Sequence, residues 1–177
     1  MTAPLQFRFA TLADRDALIA LVTSAYRGES SRAGWTTEAD LLDGPRIAPE
    51  VLEHDLDRDG SVVVIALQEG SPEPVACAHV CEDGGAGYFG MFAVVPSLQG
   101  AGIGDAVLRE CERIVRDDWR LPAMSMAVID LRDELIAWYL RRGYLRTGVC
   151  RPFPYGDTRF GLPKRKDLRF EMLEKSL

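Results

Sequence analysis

Gln99-Gly100-Ala101-Gly102-Ile103-Gly104 sets glycines at alternate positions between two apolar runs. Gly87 to Val95 is apolar and stops at Pro96, the pattern of a buried strand. The apolar positions 103, 107, 111 and 114 have helical spacing, which predicts a helix over Asp105 to Asp118. The glycines therefore fall on a strand-to-helix turn. The first amides of a helix lack internal partners, and the helix dipole makes that end positive. With no side chains at 100, 102 and 104, an anion can approach those amides closely. The chemistry expected there is the binding of a phosphate-bearing ligand.

Elements must flank this turn on both sides. Leu5 to Phe9 alternates like a strand. Thr11, with Asp14 three residues on, starts a helix through Tyr26 in capping-box fashion. Gly28 to Gly34 reads as a polar loop, Thr36 to Leu42 as a short helix stopped by Gly44-Pro45, and Pro49 to Leu56 as another helix. Ser61 to Leu67, Val75 to Cys81 and Gly87 to Val95 read as strands, the last two joined by a hairpin at Asp83-Gly84-Gly85. Further strands are expected at Ala123 to Ile129, Tyr144 to Cys150 and Leu168 to Leu173, and a helix at Asp133 to Arg142 closed by Gly143. This order predicts an α/β fold with a mixed, mostly antiparallel sheet flanked by helices, as one domain over 1–177.

The loop is not a dinucleotide fingerprint. Counting from Gly100 or from Gly102, the third glycine of G-x-G-x-x-G is replaced by Asp105 or Val107. Nor is it a nucleotide P-loop, because Asp105-Ala106 stands where Lys-Ser/Thr is needed. Gln-x-x-Gly-x-Gly after a strand resembles the pyrophosphate loop of the GNAT acyltransferases. A second block, Tyr139-Leu140-Arg141-Arg142-Gly143-Tyr144, follows in the right order and resembles that family's Tyr-x-x-x-Gly-aromatic segment. The resemblance covers about residues 5 to 175, by pattern only in the N-terminal third.

That resemblance implies acetyl-CoA as cosubstrate, entering between parallel strands that splay apart near Phe92 and Met126. It implies that Phe92, Ala93 and Val94 offer backbone groups to the pantetheine arm, and that Gln99, Gly100, Ala101, Gly102, Ile103 and Gly104 hold the pyrophosphate. Tyr139 would lie near the thioester sulfur, on the cofactor and as the catalytic proton donor to the leaving thiolate. The other reading of Tyr139 is a ring buried on the sheet. The family often carries Asn seven residues before this Tyr; here Arg132 stands there, and the contacts of that Asn are not transferred.

The implied reaction is direct attack by a primary amine of a small molecule, amino acid or peptide. Such an amine is protonated at neutral pH, so a base or water relay must take a proton. Tyr88 to Val94 contains no acid, and Glu29, Glu82, Asp83 and His79 remain open as bases. Transfer of a longer acyl group and a non-catalytic acyl-CoA sensor are the competing readings. A plain interaction domain has no need of the three loop glycines.

Two loops are candidates for the acceptor site. In Arg27 to Trp35, Trp35 could pack on a substrate and Glu29 pair with its ammonium. Arg151 to Lys166 is far longer than a hairpin loop; Arg151 or Arg159 could hold a carboxylate, and the segment could build a homodimer contact.

The 177 residues are 47% hydrophobic and 27% charged, enough for a sizeable core. A net charge of −6 argues against nucleic acid as a partner. It is consistent with a cationic substrate. No apolar run approaches a membrane span, and Met1 to Arg8 lacks a basic region followed by an apolar stretch. Cys77, Cys81, Cys111 and Cys150 form no Cys-x-x-Cys pair, and beside them stand only His54 and His79. Free thiols in a reducing cytoplasm are expected, with no metal site.

Overall fold

A computed structural model describes residues 4–177; Met1 to Ala3, the start of the stretch read for a leader, lie outside the described residues. Strand β1 (Leu5–Phe9) leads into a capped turn, where Asp14 Oδ2 accepts the Thr11 N–H at 2.8 Å. There follow α1 (Arg15–Tyr26), a four-residue α2 (Gly28–Ser31), a two-residue β2 (Leu42–Asp43) and α3 (Pro49–Asp57). The sheet is then laid down by β3 (Ser61–Gln68), β4 (Pro74–Asp83) and β5 (Ala86–Val94). After the glycine turn come α4 (Ile103–Arg113), β6 (Ala123–Ile129), α5 (Asp133–Leu140), β7 (Leu145–Pro152), β8 (Leu162–Pro163) and β9 (Arg169–Ser176).

The seven strands of the main sheet run in the order β1-β3-β4-β5-β6-β9-β7. Every neighbouring pair is antiparallel except β5 and β6. Alternation along the strands gives the sheet two apolar faces. One packs on α4 and α5 through Val107, Leu108, Cys111, Ile136 and Tyr139. The other packs on α1 and α3 through Leu18, Val22, Ala25 and Leu52.

Several expectations need correction. Thr36 to Leu42 is not a helix: Leu41 and Leu42 close one turn on the Glu38 carbonyl, and residues 42–43 then pair with 162–163. The expected loop at Gly28 to Gly34 contains α2. The helix expected over Asp105 to Asp118 begins at Ile103, and Ile114–Asp118 winds more widely, as a π-turn. Cys77, Cys81 and Cys111 are buried free thiols, whereas Cys150 is exposed on β7.

Candidate active site

The parallel pair that frames the cleft is held over only a short ladder, Gly87 opposite Met124 and Tyr88 opposite Ser125. Beyond Tyr88 the strands part. A bulge widens the opening, since Cys77 faces Ala93 and His79 faces Gly90, which leaves Met91 and Phe92 opposite Ala78 alone. Met91 takes φ 46°, the left-handed conformation that side chains avoid. The extra residue resets the alternation. Phe89 and Phe92 now share the face toward α4 and α5, with ring centroids 5.2 Å apart. Met91 and Ala93 turn to the α1 face. The Tyr26 hydroxyl donates to the Phe92 carbonyl and so anchors the bulge from α1.

The cleft continues as a cavity of about 510 Å³ to the start of α4. Phe92, Val94, Trp138 and Leu135 line it, with Gln99, Gly100, Gly102 and Gly104. Gly100 and Gly102 have φ 86° and 82°, and a Cβ on either would meet no atom within 4 Å. Gly102 caps α4, and the first amide to find a helical partner is that of Ala106, 3.1 Å from the Gly102 carbonyl. The N–H groups of residues 103 to 105 thus have no partner within the helix. Gly104 differs from the other two: a Cβ there would lie 3.1 Å from Phe92 Cζ. Arg141 and Arg142 also line the cavity. Arg142 stacks on Trp138 at 3.6 Å and donates to Asp105 Oδ1 at 2.8 Å. Asp105 is further paired with Arg109, so its charge is offset where a phosphate would approach. Open amides, a glycine turn and guanidinium groups fit the phosphate end of a coenzyme A.

Gln99 points its side chain away from the glycine turn. Oε1 accepts from Trp35 N–H at 2.8 Å, and Nε2 donates to Thr36 Oγ1 at 2.9 Å and to the Val94 carbonyl at 3.2 Å. It braces the segment 35–36 against the cleft strand. Trp35 lines the larger cavity, 6.4 Å from the Trp138 ring.

A deeper cavity of about 70 Å³ adjoins the cleft, and Tyr26, Phe92 and Leu135 line both. Tyr139 lines the deeper one, its ring packed edge-on against Phe89 and Trp138. Burial pushes its hydroxyl far above the usual tyrosine range, so it keeps its proton at every ordinary pH. Glu38, Arg46 and Arg132 line the same cavity. Among the described residues Glu38 is the one carboxylate there, and it is bonded to Arg27 Nη1 at 2.5 Å and Arg132 Nη1 at 2.8 Å. Burial raises the Glu38 pKa, but three guanidinium groups outweigh that and hold it below the usual carboxylate range.

Other expected residues lie elsewhere. Glu29 is paired with Arg32 and Arg159 with Asp157, both on exposed segments outside the two cavities. Arg151 lies on the exposed β7. His79 is buried between Ser61 Oγ, at 2.8 Å, and Asp55. The sequence reading did not single out Tyr26, Glu38, Arg46, Trp138 or Arg142. For Trp138 and Arg142 the signal was present, since they lie in or beside the quoted Tyr139 to Tyr144 block.

The Acetyltransferase (GNAT) family model matches residues 19–144, which includes the cleft strand, the glycine turn and the Tyr139 helix. The chain belongs to the GNAT acetyltransferase family. It is thereby an acetyltransferase in class. No curated protein sequence matches the chain. Among solved structures, the ribosomal-protein-S18-alanine N-acetyltransferase of Escherichia coli superposes with TM-score 0.71 at 13% identity, over 98% of this chain and 94% of that one. The PaiA N-acetyltransferase of Thermoplasma acidophilum, in complex with coenzyme A, gives 0.67 at 13% identity, over 98% and 99%. A spermidine N-acetyltransferase chimera from Vibrio cholerae and hSSAT gives 0.68 at 13% identity, over 97% and 95%. The sheet that this chain shares with them is the mixed, mostly antiparallel one expected from its sequence.

Proposed function

We propose that residues 1–177 act as one N-acetyltransferase domain that moves an acetyl group from acetyl-CoA to a primary amine of a small molecule, amino acid or peptide by direct attack. The observation that carries this reading is the junction of two cavities at Phe92. The larger ends on the open amides of α4, and the smaller is closed by Tyr139. Acetyl-CoA would supply an activated thioester. Gly100 to Gly104, with Arg141 and Arg142, would hold its phosphates, and residues 92 to 94 would face its arm along the unpaired side of β5. In that strand the Phe92 carbonyl accepts from Tyr26 and the Val94 carbonyl from Gln99, which fixes the backbone that positions the thioester.

Tyr139 holds its proton next to the site where a thiolate must leave, which suits a proton donor. Glu38 is held ionised by its arginines and is a poor base, so the amine loses its proton to water. The three buried free cysteines suit a reducing cytoplasm. The exposed outer strand β7 offers an edge for a second copy. Calorimetric titration with acetyl-CoA, followed by thiol release across an amine panel, tests the reading. Micromolar binding with amine-dependent thiol release supports it. Binding without release from any amine favours the sensor, and no binding at millimolar ligand removes the cofactor site.

A further inference from the structure

The protein is acidic overall, yet the wall of its deep cavity is not. Arg27, Arg46 and Arg132 converge on the single carboxylate of Glu38, which leaves two positive charges in excess. Guanidinium groups do not lose their protons in proteins. Arg27 and Arg132 each make two hydrogen bonds: to Glu38, and to the carbonyls of Phe160 at 3.0 Å and Thr36 at 2.5 Å. Arg46 has no such pair of bonds. Its Nε lies 3.8 Å from Glu38 Oε2, too far for a hydrogen bond, and like Arg27 Nε it has no partner among the described residues, while a quarter of the Arg46 side chain stays exposed. Its guanidinium sits 5.1 Å over one side of the Tyr26 ring, while that of Arg132 sits 5.4 Å from the same ring.

A half-buried guanidinium that shares one carboxylate with two others gains from a further carboxylate brought by a ligand. Arg46 also lines the cavity into which Tyr139 faces. We infer that the acceptor amine carries a carboxylate, received by Arg46 beside Arg132, so that the substrate class is a small amino acid rather than a polyamine. This inference rests on the acetyltransferase reading above. The planar fork of arginine matches a carboxylate bidentately. The excess charge repels a second ammonium on the same acceptor. A volume of about 70 Å³ admits a compact head group.

The test compares each α-amino acid with its own amide and its decarboxylated amine, and with spermidine, by thiol release from acetyl-CoA. In parallel, calorimetry measures N-acetyl amino acids and their amides binding to the CoA-loaded protein, which needs no turnover. The acids are expected to exceed their amides by about tenfold or more in kcat/KM, or in affinity where no acceptor turns over. Arg46→Gln should bring that ratio close to one, and Arg46→Lys should keep part of it. Acetyl-CoA affinity, measured on each variant, reports whether the cleft remains intact. Amides or spermidine used as well as the acids would overturn the inference while leaving the acetyltransferase reading standing. So would an Arg46→Gln variant that loses acid and amide equally. Acid-selective binding without turnover would keep the inference and remove the acetyltransferase reading. Neither binding nor turnover of any carboxylate would overturn the inference itself.

Discussion

Gly102 and Gly104 lie two residues apart, and their replacement by alanine should fail in opposite ways. At Gly102 the added methyl meets nothing within 4 Å, but φ is 82°. Forcing an L side chain into that conformation costs about 1–2 kcal/mol. In a chain of this size that lowers Tm by about 2–8 °C. At Gly104 the backbone is ordinary helix, so alanine gains up to about 1 kcal/mol of propensity. Its methyl, however, lies 3.1 Å from Phe92 Cζ, with Trp138 Cζ2 and Val94 Cγ2 each at 3.7 Å. The Phe92 ring is only partly buried and can yield into the open cleft, which spares the fold and narrows the site. Losing one amide contact to a phosphate costs about 1.5–3 kcal/mol, or about 10- to 150-fold in Kd. Thermal melts and acetyl-CoA calorimetry on both variants give the answer. Gly104→Ala should melt at or above the parent temperature and bind far more weakly. If Gly104→Ala loses stability and keeps affinity, the assignment of the cleft to the phosphates is wrong.

Tyr139→Phe should lower turnover by about 10-fold or more with little change in acetyl-CoA affinity; turnover near the parent value excludes the proton-donor role. Because Glu38 is held ionised, kcat/KM should climb with pH toward the pKa of the acceptor's own amine, which lies above neutrality. A plateau already reached by pH 6 would reveal a side-chain base instead. Asp14 accepts two bonds from Arg8, at 2.8 and 2.7 Å, and one from the Thr11 N–H, which together bring its pKa down to about 2. A depressed carboxylate stabilises the fold above its unfolded value near 4 and ceases to do so as pH falls toward 2. Asp14→Asn should therefore cost about 1 kcal/mol at neutral pH, measured by urea unfolding. The difference from the parent should shrink steadily as pH falls from about 4 toward 2.

Local chemistry made much of this legible. The runs at Leu5 to Phe9 and Gly87 to Val95, the Thr11–Asp14 cap and the glycine turn are short-range signals, and they lie where the sequence places them. The bulge was not legible, because Met91 carries no mark of a left-handed conformation; it is imposed by Tyr26 and the cleft geometry. Thr36 to Leu42 reads locally as a helix start. Its fate is decided by distant groups: Arg132 takes the Thr36 carbonyl, Arg27 and Arg132 take Glu38, and β8 takes Leu42 and Asp43. The same long-range pairing hid the basic wall. A net charge of −6 is consistent with a cationic substrate, while Arg46 and Arg132 line the deeper cavity and Arg27 joins them on Glu38. Arg159 looked available in the sequence, but Asp157, two residues away, already holds it.

The brace formed by Gln99 has a consequence for the order in which ligands bind. From the glycine turn, Gln99 reaches Thr36 Oγ1, and the carbonyl of Thr36 is held by Arg132 at the edge of the deeper cavity. One residue thus stands in both clefts' hydrogen-bond networks. Whatever ordering acetyl-CoA imposes on residues 35–36 is ordering that the acceptor no longer has to provide. Linkage requires the gain to be mutual: the factor by which acetyl-CoA tightens the acceptor is the factor by which the acceptor tightens acetyl-CoA. On the proposed reading the two substrates would be thermodynamic partners, each tightening the other through Thr36.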